Sequence, residues 1–108
     1  MFTFAIRPGN NTEELLIEFR KGSGSDEMIL AMKKVLAEAN ADVIEKIDLW
    51  QNDEVIYKMK SQFGSFEISS DNYGCIFIMA PDNQPAIVAI SSLLSKSNIF
   101  KSEAISFD

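Results

Sequence analysis

Residues 2–7, Phe-Thr-Phe-Ala-Ile-Arg, alternate bulky and small side chains and stop at Pro8-Gly9-Asn10-Asn11. That cluster combines a fixed φ, a permissive φ and two asparagines, which together make a turn. Residues 15–20 follow with a β-branched residue, an aromatic and charges at every second position. The two runs predict a β-hairpin with a loop of about four to five residues. A helix over residues 13–20 is the competing reading, since Thr12-Glu13-Glu14 could cap one.

Lys21-Gly22-Ser23-Gly24-Ser25 reads as a short flexible connector. Ser25 then looks like an N-cap, with Asp26 and Glu27 in the first turn, where the helix dipole favours acids. Met28, Ile29, Met32, Val35, Leu36 and Ala39 fall on one helical face, Lys33, Lys34 and Glu38 point elsewhere, and Asn40 is a stop. From residue 42 to residue 80 the period becomes two. Residues 43–50, 54–61, 63–69 and 74–80 read as four strands. Val55, Tyr57 and Met59 share one face of theirs; Lys58 and Lys60 share the other. Residues 75–80 are apolar throughout, which suits a central strand covered on both faces.

Pro81-Asp82-Asn83 ends that strand, and Asn83 or Asp82 can cap a second helix. Ala86, Ile87, Ile90, Leu93 and Leu94 form its apolar face, with Ser91, Ser92 and Ser95 opposite and Asn98 at its end. Residues 99–107 close the chain as a short strand anchored by Phe100, Ile105 and Phe107. The order is ββαββββαβ. It predicts one α+β domain over residues 1–108: a mostly antiparallel sheet of about six to seven strands with two helices on one face.

Composition narrows the function more than it names it. The chain has 108 residues, 46% hydrophobic and 24% charged, as a folded domain should. No apolar run approaches the roughly 20 residues of a membrane helix. The first ten residues lack a basic region followed by a long apolar stretch, so a cytoplasmic protein is expected. The single cysteine cannot form an internal disulfide, and the absence of histidine removes the commonest general base and metal ligand. Sixteen acids against ten bases give a net charge of −6, which disfavours direct binding of nucleic acid.

No residue pattern selects an enzyme. Ser65 has neither the glycine pair of a nucleophile elbow nor a histidine to activate it. Cys75 lies in apolar sequence, where burial would raise its pKa, so a structural cysteine is expected. Zinc and most transition metals lack ligands. Asp71-Asn72-Tyr73-Gly74 offers two oxygen ligands of a calcium loop and lacks the terminal Glu, so it reads as a turn. Residues 22–26 precede a helix N-terminus but have no Walker lysine, and Asp26 and Glu27 would repel phosphate. No spacing picks out a catalytic carboxylate pair. No catalytic, cofactor-binding or metal-binding residue is therefore assigned.

What remains is a charge pattern. Asp42, Glu45, Asp48, Asp53 and Glu54 are opposed only by Lys46, and residues 61–95 carry three acids (Glu67, Asp71, Asp82) with no Lys or Arg. If these strands pair in sequence, one sheet surface is negative over a sizeable area. A solvated face that keeps the protein soluble is the ordinary reading; a docking surface for a basic partner is the functional one. Strand alternation puts Ile47 and Leu49 on one face and Lys46, Asp48 and Trp50 on the other. A core tryptophan at the strand end is the commoner arrangement, and an exposed interface anchor is the alternative. Tyr73, at the tip of its turn, is a second aromatic candidate. The contact set on this reading is Asp48, Trp50, Asp53, Glu54, Glu67 and Asp71.

In whole-chain character (about a hundred residues, acidic, α+β, no catalytic motif) the sequence resembles the small immunity proteins of bacterial toxin systems, particularly those of contact-dependent growth inhibition. The resemblance implies a cytosolic inhibitor that binds one cognate toxin, often a basic nuclease, and covers its active site or substrate groove. It carries no motif that would assign residues. The alternative from a different class is a small-ligand or regulatory domain, in which helices on a sheet leave an apolar pocket lined by some of the five Met and eight Phe residues. Self-association through an edge strand is compatible with both.

Overall fold

The computed structural model describes residues 2–9 and 13–103. The strands are β1 (Phe2–Pro8), β2 (Leu15–Phe19), β3 (Asp42–Leu49), β4 (Glu54–Ser61), β5 (Gly64–Asp71), β6 (Ile76–Met79) and β7 (Phe100–Ser102). Helix α1 (Asp26–Ala37) follows β2, and α2 (Gln84–Lys96) follows β6. The order is the expected ββαββββαβ, and the fold is α+β. One seven-stranded sheet runs β3-β4-β5-β6-β2-β1-β7, antiparallel except that β7 lies parallel to β1. Residues 10–12 of the first turn, and Ile105 and Phe107 of the expected last strand, lie outside the described residues.

Register defines the two faces of the sheet. Tyr57, Ile68, Ile78, Ile17 and Ile6 are consecutive cross-strand partners and share one face; Phe4 and Phe19 lie on it too. Both helices pack on that face. Met28, Met32, Val35 and Leu36 of α1 and Ala86, Ile87, Ile90 and Leu94 of α2 complete the core. A side chain of this kind contributes about 1.5–3 kcal/mol when fully buried. Ser25 caps α1, its hydroxyl accepting from the Met28 N–H at 3.2 Å, and Asn40 leaves the helix with φ +55°. The apolar spacing in the sequence accounts for both helices.

Two details of α2 depart from expectation. Asn83 sits at the cap position but does not cap: its side-chain amide donates instead to the carbonyls of Phe63 and Ser65 and ties the helix start to the β4–β5 turn. Ser91, expected to face solvent, is buried, because its hydroxyl donates to the Val88 carbonyl at 2.9 Å and needs no water.

Among the described residues, the opposite face of the sheet carries no helix. Strand β6 is therefore central but covered on one face only: Ile76 and Ile78 are buried, whereas Phe77 and Met79 are half-exposed on the open side. Over β1 and β2 that open side is roofed by ion pairs. Arg7 and Arg20 both reach the Glu18 carboxylate, at 2.6 and 3.5 Å, and Ala5 beneath them is fully buried. Over β3, β4 and β5 the side chains are mixed in sign. Lys58 pairs with Glu45 at 3.8 Å and lies opposite Glu67, while Lys60 lies between Asp42 and Ser65. The continuous negative sheet surface expected from the acid count does not form, because strand alternation sends Lys58 and Lys60 to the same face as the acids.

Strand β3 inverts the expected polarity. Its register slips by one residue between Val43 and Glu45, so that Ile44 is the extra residue of a bulge. A one-residue slip exchanges the faces of everything beyond it. Val43 remains on the helix side opposite Met59, but Lys46 and Asp48 now follow it there, opposite Tyr57 and Val55. Ile47 and Leu49 turn to the open face, where Ile47 continues the row Ile56, Ser69 and Phe77 across the sheet.

Candidate interaction surface at one end of the sheet

The chain reverses between β3 and β4 through a short 3-10 turn (Trp50–Asn52) that Asp53 closes in the left-handed conformation, φ +53°. An aspartate tolerates that conformation better than a bulkier residue. The tryptophan is thereby lifted off the strand. Trp50 is 73% exposed, so it does not close the core as a strand-end tryptophan commonly does. β3 ends at Leu49, and the 3-10 turn that follows it takes Trp50 out of the strand.

The neighbouring β5–β6 turn is built by Asp71. Its Oδ1 accepts from the backbone N–H of Tyr73 at 2.8 Å and of Cys75 at 2.9 Å, which leaves the Tyr73 ring outside the turn, 82% exposed. A hydrogen bond from the Asn72 N–H to the Asp53 carbonyl, 3.1 Å, locks this turn to the first. On its far side the Ser23 hydroxyl donates to the Gly74 carbonyl at 2.6 Å, and Gly24 stacks against Gly74. Three connections are thus fastened side by side at one end of the sheet. Because α1 starts directly after Ser23 and Gly24, Asp26 and Glu27 join the same end, both exposed.

Placed on this frame, the sequence-derived contact set divides. Trp50 and Asp53 stand on the first turn, exposed, and Asp48 is exposed at the end of β3 on the helix side. Glu54 is at the same end but half-buried, its Oε2 accepting from the Ser69 hydroxyl at 2.7 Å. Asp71 contributes charge while one of its oxygens holds the turn. Glu67 does not belong to the group. It lies four residues from Asp71 along β5, roughly 13 Å away, among Lys58 and Met79 on the open face. Among the described residues, none of Asp26, Glu27, Asp48, Asp53, Glu54 and Asp71 has an ion-pair partner. In the sequence Asp26 and Glu27 read only as helix-cap residues, since the start of α1 is brought to this end by a contact between Gly24 and Gly74 that no spacing announces.

Cys75 also departs from expectation. It is exposed in the last residue before β6 and not buried in the strand. Its thiol pKa is nevertheless raised, first by desolvation, then by the charge of Asp71 and its hydrogen bond to that carboxylate, with a further push from Glu18. The thiol is protonated at neutral pH and is a poor nucleophile there. Among the described residues no group of His, Cys, Asp or Glu side chains is arranged to hold a metal ion. No described helix is long and apolar enough to cross a membrane.

What this end of the molecule presents is two large rings on turns that are pinned together, beside carboxylates without an ion-pair partner among the described residues. Such a surface can bury aromatic area against a partner while drawing in Lys and Arg side chains. No protein-family model, no curated protein and no solved structure matches the chain.

Proposed function

We propose that the protein works by binding a basic partner protein through the Trp50–Tyr73 end of the sheet, without catalysis, and that it is most concretely a cytoplasmic inhibitor of the immunity type, neutralising a basic toxin domain. The observation that carries this reading is the pair of exposed rings, Trp50 at 73% and Tyr73 at 82%, on two hydrogen-bonded turns amid carboxylates that have no ion-pair partner among the described residues. Exposed rings normally cost solubility, and anchoring them on fixed turns reduces the entropy lost on docking. Carboxylates at the rim steer a basic partner into place and contribute more to rate than to final affinity. Such an inhibitor would set the rings against the partner's surface and its acids against the groove that receives nucleic acid.

The test is comparative capture in the native host. Wild-type protein and two variants, Trp50→Ala/Tyr73→Ala and Asp48→Lys/Asp53→Lys, are expressed and recovered at low and at high salt. All four positions are exposed, so the changes at Trp50, Tyr73 and Asp48 should each alter stability by no more than about 0.5 kcal/mol, whereas Asp53→Lys adds left-handed strain of up to about 1–2 kcal/mol. The wild type should retain one basic protein in stoichiometric amount at low salt. The ring variant should lose it in both buffers, and the charge variant should associate more slowly, most visibly at low salt. Identical proteins retained by all three would remove this end of the molecule as the interface.

A further inference from the structure

The β3 bulge has a second effect on the helix side of the sheet. A cavity of about 320 Å³ opens between α1 and strands β3 to β6. Ile29, Met32 and Leu36 form its α1 wall, and Val43, Tyr57 and Ile68 form much of its floor. On this side β3 presents Lys46 and Asp48 where an unbulged strand would present Ile47 and Leu49. Those two apolar residues point to the other face and are not among the residues that line the cavity. An apolar space left next to a core is unfavourable in itself, since its lining loses packing partners.

The polar groups at this cavity share one character. Lys33 lines it from α1. Lys46 stands over the Tyr57 ring, 5.9 Å from its centroid, and that ring is part of the wall. Neither lysine has a carboxylate within ion-pair distance among the described residues, although the chain carries a net charge of −6. The Ser70 hydroxyl, also in the lining, donates to no protein acceptor among the described residues. Asp48 lies on the same side of β3 as Lys46 but toward the acidic end, outside the lining.

We infer that this cavity is a binding site for a small amphipathic carboxylate, with its hydrocarbon part against Met32, Leu36, Val43 and Ile68 and its carboxylate held between Lys33 and Lys46 at the mouth. The volume lies at the small end of ligand sites, which run from roughly 300 Å³ upward. It equals about ten water volumes at roughly 30 Å³ each, so a ligand of about ten non-hydrogen atoms fills it. The site is independent of the interface reading, because no residue of the Trp50–Tyr73 end lines it.

Titration of the full chain with octanoate, octanol and octylamine, followed by calorimetry and by backbone amide shifts, decides the matter. Octanoate should bind saturably with one site, moving the amides of Val43 and Tyr57, and at least tenfold more tightly than octylamine; octanol should fall between them. Lys33→Glu/Lys46→Glu, both at exposed positions, should abolish the preference for octanoate or reverse it toward octylamine. Val43→Trp, which places an indole at the exposed rim of the cavity while leaving both lysines, should weaken saturable binding of all three. Absence of saturable octanoate binding to the wild type, equal binding of acid and amine, or an unchanged preference in the lysine variant would each overturn the inference.

Discussion

The two halves of the sheet have similar alternating sequences and opposite fates. Strands β6, β2 and β1 place Ile78, Ile17 and Phe4 beneath the helices, all fully buried. Strand β3 is eight residues long, yet every residue from Asp42 to Lys46 is exposed and it borders only β4. Hydrophobic alternation alone cannot produce that difference, because β3 contains Val43, Ile44, Ile47 and Leu49. What separates the halves is the reach of the helical layer. Where helices cover a strand, its apolar side chains become core. Where they do not, a bulge can exchange the faces at little energetic loss, and the same kinds of residues become surface.

The largest test of this contrast sets two isoleucines against each other. Ile78→Ala removes a fully buried side chain in the middle of the core and should lower stability by about 2–5 kcal/mol. That corresponds to a fall in Tm on the order of 10–20 °C for a domain of this size. Ile44→Ala removes the same atoms from the bulge, where the side chain is 60% exposed, and should change stability by no more than about 0.5 kcal/mol. Thermal unfolding followed by circular dichroism measures both. Comparable losses at the two positions would mean that β3 is packed against something in solution, and the contrast would fail.

A second prediction concerns the joint between the halves. Gly24 adopts φ +82°, and a Cβ there would lie 2.6 Å from the Gly74 Cα and 3.0 Å from the Gly74 carbonyl oxygen. Neither neighbour is a side-chain end that can swing aside. Gly24→Ala should therefore cost roughly 2–3 kcal/mol, from the left-handed strain together with the clash. It should also shift the amide resonances of residues 71–75, whereas Ile78→Ala should spread its effect through the core. A stable Gly24→Ala protein with an undisturbed β5–β6 turn would show that the three connections are not fastened together.

Much of this was legible in the chain. The helix over Asp26–Ala37 followed from its apolar stripe and its serine cap, and the order of nine elements followed from periods and turn residues. The six proposed contact residues fared unevenly, and the reasons are physical. Trp50 and Asp53 were found through their neighbours in sequence, and they do share a turn. Glu67 falls in the same acidic region of the sequence as Asp71, but a strand separates residues four apart by roughly 13 Å. Trp50 was harder, since its burial depends on whether a helix covers the end of β3, which is a tertiary fact. The inverted faces of β3 were hidden for another reason. A bulge adds one residue to an otherwise regular alternation, and Val43-Ile44-Glu45 offers no glycine or proline to mark it.

The smallest effect predicted is chemical, and it reports on the acidic end directly. Cys75 is exposed, so access does not limit its reaction with iodoacetamide. The rate at a given pH therefore follows the thiolate fraction. A raised pKa displaces the rate profile to higher pH, leaving the wild-type thiol slow near neutrality. Desolvation and the Asp71 carboxylate both act in that direction. Asp71→Asn separates them, because an asparagine Oδ1 still accepts from the Tyr73 and Cys75 N–H groups while the charge is gone. Removing a nearby negative charge makes the thiolate less unfavourable, so the profile should move to lower pH and alkylation at neutral pH should rise. Added salt should speed the wild type more than the variant, since it screens only the charge. A salt-insensitive wild type, with a profile that Asp71→Asn does not move, would assign the raised pKa to desolvation alone. It would also mean that the carboxylates at this end create too weak a field to steer a basic partner.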